Sequence, residues 1–384
     1  MYSTKTVNCI VLSVILLCLT FSSLGASEFT TCSYCKQATT TRSLYCTHCG
    51  TWWLGRDNII KNEIRSVLAY SSFEFKGPGL DDQGELAEDR TETRDTLAAG
   101  VSFRHYFNSR YQHPIVPISF IPYNYRNNFI EGAAVMASDN EEFDVPHSET
   151  GRNLLGVRLN GFYHLENVFI GGNLAYSRQT DDELDADDWL NQSISVGGTF
   201  GYHNPDARIG VNLGFRDTRR DSSTKDFNSQ YFEVGCFGEY MLTPAFLLAG
   251  SIEYLTESGE DYYEFRIPVY MKYIILDSWW EFAPSFSFYQ NEIDIEEFDY
   301  RFKISKLYRN TSISAQPQYT IRKITGISGS MRVFRIHAGG TYAFMNRSMQ
   351  VSVSAHYGFG EEDINYPERD ISTYSGKLDL EYFF

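Results

Sequence analysis

Two stretches near the end of the chain alternate strictly between apolar and polar residues. Phe334, Ile336, Ala338, Gly340, Tyr342 and Phe344 fall on one face of an extended chain, and Arg335, His337, Gly339 and Thr341 on the other. After Asn346-Arg347, Met349, Val351, Val353, Ala355, Tyr357 and Phe359 alternate with Gln350, Ser352, Ser354, His356 and Gly358. A period of two sends successive side chains to opposite faces of a strand. The pattern recurs from about Ser66 to the last residue. A soluble sandwich also alternates, but its strands mostly stop near five or six residues. These run to roughly 10 to 14, enough to cross a bilayer at a tilt.

The aromatic residues support a membrane setting. They make up 16% of the chain, and many fall at strand ends: Tyr254, Tyr263, Trp279, Trp280, Phe286, Tyr289, Tyr357, Phe359 and Tyr382. Aromatic girdles of this kind mark the two interfaces of a transmembrane barrel. Mean hydropathy is negative, which argues against a helical membrane protein but suits a barrel, where only alternate residues meet lipid. Short turns at Asn204-Pro205-Asp206, Thr243-Pro244, Leu276-Asp277-Ser278 and Asn346-Arg347 alternate with longer polar stretches near Asp181–Asn191, Arg220–Ser229, Asp294–Asp299 and Glu361–Asp370. The fold expected is all-β: a transmembrane antiparallel up-and-down barrel over residues 61–384. About sixteen strands are expected, with fourteen as the alternative. The third is placed near Ile115, in a stretch interrupted by Pro114, Pro117 and Pro122. An even count puts both barrel ends in the periplasm.

The chain begins with the features of a secretory signal over residues 1–26. Lys5 precedes an apolar run from Cys9 to Leu19, and Ser22 to Ala26 supply small residues for cleavage. The run is too short for a spanning helix. The net charge of -16 argues against nucleic acid as a partner, because a nucleic-acid surface calls for a basic patch. The acidic runs, such as Asp181-Asp182-Glu183 and Glu361-Glu362-Asp363, lack a calcium-loop spacing and read as solvated segments.

At the end of the chain Leu378, Leu380, Tyr382 and Phe384 share one face, and Lys377, Asp379 and Glu381 the other. This resembles the C-terminal insertion signal of bacterial outer-membrane barrels, a terminal aromatic preceded by alternate hydrophobics. The resemblance implies recognition by the barrel assembly machinery and an integral outer-membrane location, with the N-terminal segment in the periplasm. The implied partners are outer-membrane lipid and lipopolysaccharide, and further copies of the chain in a homotrimer. Strand addition at an unpaired edge would explain the capture of such a strand.

The opposite face of the strands is expected to line the lumen. It carries Arg158, Asn160 and His164; Ser193, Ser195 and Thr199; Arg208, Asn212 and Arg216; Glu264, Arg266 and Lys272; Ser312, Ser314, Gln316 and Gln318; and Arg335. This lining is porin-like, polar and of mixed sign, with Arg158, Arg208, Arg216, Glu264, Arg266, Lys272 and Arg335 placed to set the field in the bore. At sixteen strands an aqueous channel is expected, passing small polar solutes. The alternatives are a structural or surface-interaction barrel with no open pore, and an enzyme acting on envelope lipid. No motif of the barrel phospholipases, deacylases or omptin-type proteases is present, and the histidines are scattered. No catalytic residue is assigned and no enzymatic activity is expected.

Between signal and barrel, residues 27–60 hold Cys32, Cys35, Cys46 and Cys49 in a C-x2-C-x10-C-x2-C arrangement. The segment is similar to a small zinc ribbon, whose two knuckles offer four thiolates to one tetrahedral zinc. Ser33 and Lys36 stand where that family often has Pro and Gly. An oxidising periplasm would favour two disulfides instead, and a redox-active pair is a third reading.

Overall fold

The structure is a computed structural model. It describes residues 29–31, 38–40, 62–80, 86–107, 128–144, 147–165, 167–183, 189–203, 207–221, 227–243, 246–258, 262–275, 280–292, 295–307, 311–324, 329–344, 349–363 and 369–383. The signal expected over residues 1–26, the four cysteines Cys32, Cys35, Cys46 and Cys49, Ile115 and Phe384 lie outside them.

Two short strands, β1 (Phe29–Thr31) and β2 (Ala38–Thr40), pair with each other. The rest is a single closed antiparallel barrel of sixteen strands: β3 (Asn62–Leu80), β4 (Leu86–Tyr106), β5 (Phe129–Asp144), β6 (His147–Leu165), β7 (Val168–Glu183), β8 (Trp189–His203), β9 (Ala207–Asp221), β10 (Phe227–Thr243), β11 (Phe246–Glu257), β12 (Tyr263–Ile275), β13 (Trp280–Asn291), β14 (Ile295–Leu307), β15 (Thr311–Ile324), β16 (Met331–Phe344), β17 (Met349–Glu362) and β18 (Arg369–Phe383). Each strand pairs with its neighbours in sequence, and β18 closes on β3 with Tyr382 opposite Ile64 and Gly376 opposite Tyr70. Sixteen strands spaced about 4.8 Å apart and tilted about 40° enclose a cylinder roughly 30 Å across the backbone.

Both faces follow from the alternation. Leu213, Ile209 and Met136 are each 61% exposed, and large apolar residues of the same parity ring the outer face: Leu97, Val101 and Phe103 on β4, Leu155, Val157 and Leu159 on β6, Ile194, Val196 and Phe200 on β8. Such a belt is unfavourable against water and favourable against lipid. Cys236 is a free thiol on this face.

Three expectations differ from the structure. The third barrel strand is Phe129–Asp144 rather than a segment near Ile115. The polar stretches read as long loops largely continue the strands: Asp181 to Glu183 end β7, Ile295 to Asp299 begin β14, and Glu361-Glu362 end β17. Their charges pair across the ladder and so extend it beyond the apolar belt. Arg322 donates to Glu297 at 2.7 Å and Arg332 to Glu361 at 2.9 Å. The aromatics also depart from the girdle pattern. Phe282, Phe286, Phe288, Phe298, Tyr300 and Phe302 cover the middle of β13 and β14 on the outer face, with centroid spacings of 5.1 to 6.3 Å.

The wall is uneven in height. The strands β3, β4 and β6 have 19, 21 and 19 residues, and β11 to β14 only 12 or 13. We call the end where β3 begins and β18 finishes the terminal rim, and the other the far rim. The tall sector rises past its last outward apolar residues, Tyr70, Leu97 and Met136, and is held there by ion pairs. Arg94 grips Asp139 with its Nε at 2.8 Å, and Thr96 donates to the same carboxylate at 2.9 Å. Burial works to raise the Asp139 pKa, but these hydrogen bonds and the nearby Arg94 and Arg152 charges outweigh it and hold the carboxyl below its ordinary value. A carboxyl lowered in the folded state stabilises above its unfolded pKa and loses that contribution as pH falls through the folded one. Protection of the far-rim amides of β4 and β5, measured against their intrinsic exchange rates at each pH, is therefore expected to be high at neutral pH and to fall in acid, and Asp139→Asn should show the lowered protection already at neutral pH. Hydrogen exchange that ignores both changes would remove the clamp.

Candidate functional site: the lumen

Phe169 on β7 and Phe237 on β10 stack at 6.1 Å although two strands lie between them. Contact at that range is possible only on the concave side, which fixes their face as the inner one. The strands between present Gly201 and Gly210 at this level. A Cβ on Gly201 would lie 2.2 Å from Phe169 Cζ, and one on Gly210 2.5 Å from Phe237 Cζ. The two rings thus lie over bare backbone.

These rings belong to a row near the terminal rim. Tyr106, Phe129, Phe162, Phe169 and Phe237 follow one another at 5.5 to 6.3 Å between centroids. All are nearly fully buried, as are the inward Glu63, Leu247 and Glu281. Side chains so enclosed do not border water, so this level of the inner wall is a packed layer, the floor of the cavities described next. Charge is built into it with matched partners. The Tyr106 hydroxyl donates to Glu63 at 2.6 Å, and Arg104 donates through Nε to Glu131 at 2.6 Å while its guanidinium lies 4.7 Å from the centre of the Phe129 ring. Glu281 has Lys303 Nζ at 3.9 Å, and neither carboxylate oxygen has a hydrogen-bond partner among the described residues.

Above the floor, on β18 and β3 to β6, is a cavity of about 420 Å³ lined by Arg65, Arg104, Arg158, Lys377, Glu131 and Asn160. Arg158 reaches Glu131 at 3.3 Å, Arg65 donates to Asp379 at 2.7 Å, and Lys377 lies 3.1 Å from Asp379. Glu63 lies 3.5 Å from Arg104 and Glu381 3.3 Å from Arg65, so the four cations of this arc face four carboxylates, Glu63, Glu131, Asp379 and Glu381, and the arc is polar and balanced in charge. A second cavity of about 260 Å³ is lined by Asn173, Ser195, Thr199, Asn212, Arg216 and Glu233.

The residues singled out from sequence are spread over the inner wall. Arg158 borders the first cavity and Arg216 the second, its guanidinium 5.4 Å from the centre of the Tyr231 ring. Arg208 is buried in the floor, 3.7 Å from Glu239. Glu264 and Arg266 pair at 2.9 Å. Lys272 shares the inward parity of Glu264 and Arg266 on β12. Arg335 donates to Thr320 at 3.2 Å.

Register supplies a feature the sequence reading passed over. His337 and His356 sit directly opposite, 4.8 Å apart, with Gln318 Oε1 2.7 Å from His337 Nε2. At the far rim, Met331, Val333 and Ile371 pack with Phe73, Phe75 and Ile324 into a small apolar core inside the mouth. Among the described residues no group of three or more His, Cys, Asp or Glu could hold a metal ion.

No family model and no curated protein matches the chain. Among solved structures it is similar to a bacterial polysaccharide outer membrane secretin, with 13% identity over 85% of this chain and 100% of that one and a TM-score of 0.45. It is similar to the TodX monoaromatic hydrocarbon channel deltaS2 mutant, with 8% identity over 85% of this chain and 91% of that one and a TM-score of 0.48. It is also similar to OccK7 (OpdD) of Pseudomonas aeruginosa, with 11% identity over 84% of this chain and 99% of that one and a TM-score of 0.39.

Proposed function

We propose that the chain is an outer-membrane channel for small polar solutes. The observation that carries this reading is the polar inner wall of mixed sign, Arg65, Arg104, Arg158 and Lys377 against Glu63, Glu131, Asp379 and Glu381 at the first cavity, inside a barrel with an apolar outer belt. Charged rings inside a bore set which ions enter it. The terminal rim then faces the periplasm and the far rim the exterior. The chain acts as a channel rather than an enzyme.

Single-channel recording in planar bilayers tests it. The purified barrel is expected to give discrete conductance steps with little ion selectivity. Arg158→Ala with Lys377→Ala, which leaves the carboxylates in excess, should shift the reversal potential in a salt gradient toward cations without loss of the folded barrel. A reversal potential untouched by the double variant would defeat the reading. The packed floor favours one rival, a barrel that works through its rim and carries no current; silent bilayers with well-folded protein would support that rival.

The remaining assignments are proposals of the same standing. Residues 1–26 act as a cleaved signal, and residues 27–60 form a periplasmic segment in which Cys32, Cys35, Cys46 and Cys49 hold one zinc ion, with disulfides as the competing state. Leu378, Leu380, Tyr382 and Phe384 are read by the barrel assembly machinery. Lipid and lipopolysaccharide surround the belt, and a homotrimer is the expected assembly.

A further inference from the structure

Proline has no N–H to give a ladder and is normally kept out of strand interiors that are paired on both sides. A closed barrel has no edge on which to place it. This one carries three prolines in mid-strand within a single sector: Pro268 on β12, Pro284 on β13 and Pro317 on β15. Each coincides with a break in one seam. The β11–β12 pairing stops at Gly250 with Val269 and resumes at Glu253 with Arg266, skipping Pro268. The β12–β13 pairing skips Met271-Lys272 and Ala283-Pro284. The β14–β15 pairing skips Phe302-Lys303 and Gln316-Pro317. Among the described residues, every other barrel seam runs through its middle without interruption.

Between two of these breaks stands one intact unit. The β13–β14 seam pairs without a gap from Trp280 with Lys306 to Gln290 with Glu296. Its outer face is clasped by Phe286 against Tyr300 and Phe288 against Phe298, both at 5.1 Å. The hairpin is therefore stiff in itself and flanked on both sides by interrupted seams, in the shortest part of the wall; toward the far rim the β14–β15 seam is tied by Arg322 with Glu297 and Gln318 with Asp299. Inside hydrocarbon no water replaces a missing ladder bond, so such breaks are costly to keep. The gaps also carry charge. Lys272 and Lys303 lie within the two breaks flanking the hairpin, on its inward parity, and Arg301 stands two residues from Lys303; Lys303 is only loosely placed by Glu281 at 3.9 Å, while Arg301 donates to Asp299 at 2.6 Å and would share itself with an incoming head. The outward side at the same level is Met271, Pro284, Phe302 and Pro317.

We propose that the β13–β14 hairpin is a lateral flap through which anionic amphiphiles, an acidic head on a single apolar chain, pass between lumen and bilayer. The head is met by Lys272, Lys303 and Arg301 inside, and the chain leaves through a proline-broken seam onto the aromatic outer surface. This rests on the reading of the chain as a membrane-spanning barrel, but not on its conducting ions.

The test uses vesicles with a lipopolysaccharide outer leaflet, the full-length protein, and nitroxide-labelled stearate as probe, with small-ion conductance measured in parallel. Ile304→Cys with Ala315→Cys places two thiols at the register pair beside the β14–β15 break. Once oxidised, this staple is expected to reduce stearate transfer to the rate of protein-free vesicles, and reduction should restore it, while conductance is unchanged. Pro284→Ala with Pro317→Ala, which returns the missing donors, should slow transfer without any crosslink and covers the case of a staple that does not form. Transfer that continues through the closed staple, or in the proline double variant, overturns the proposal and leaves the channel reading standing. Staple-sensitive transfer with no ion conductance would uphold the flap and remove the channel.

Discussion

Leu213→Arg is expected to destabilise the folded barrel by about 2–4 kcal/mol, whereas Asn212→Arg, one residue away, should leave it folded. Leu213 is 61% exposed on the outer face in the middle of β9, and Asn212 faces the lumen, where Thr199 donates to it at 2.8 Å. In water the two changes would rank the other way: an exposed Leu accepts an Arg readily, and a part-buried amide does not. The order of the two effects therefore reports what surrounds the barrel. Urea unfolding in lipid vesicles, followed by tryptophan fluorescence, measures both. Equal losses, or a larger loss from Asn212→Arg, would show that the outer face does not meet hydrocarbon.

The second large effect concerns assembly. Tyr382→Ala with Phe384→Ala is expected to abolish most folded protein in the outer membrane while leaving synthesis unchanged. Tyr382 is 44% exposed on the outer face of β18, opposite Met349 on one side and Ile64 on the other. Leu378 shares that face. The substitutions remove apolar contact from the strand that closes the cylinder and from the signal proposed to be captured by strand addition. Heat-modifiable mobility on gels counts the folded fraction. Normal yield and mobility in the double variant would mean that the terminal aromatics are only belt residues.

The sequence made the strand number legible because a period of two survives any error in strand ends. Val353, Tyr357 and Phe359 had to share a face wherever β17 began. Strand limits were less legible for a physical reason. A segment such as Asp294 to Asp299 is polar whether it loops into water or continues a ladder above the lipid, and only its cross-strand partners, here Arg322 and Gln318, decide. The third strand was misplaced because residues 129–144 carry a weak apolar signal, with Gly132, Ala133, Ala134 and Ala137 in the first part and Asp139, Glu141, Glu142 and Asp144 in the second. In the lumen, parity alone assigned the inward face. It could not bring Phe169 to Phe237 across two glycines, His337 to His356, or three prolines into one sector. Those relations depend on register, which links residues far apart in the chain.

One seam differs from the others in the order in which it can exist. Fifteen of the barrel's seams join strands adjacent in sequence and can form as local hairpins. The sixteenth joins β18 to β3 and is latched by Arg65 with Asp379, 314 residues apart. A contact that distant forms after the near ones, because its loop must close first. The barrel therefore has a natural last step, in which two open strand edges find each other. Arg65 with Asp379 and Glu381 supplies a directed attraction across that gap, so the speed of closure should depend on ionic strength in a way that hairpin formation does not.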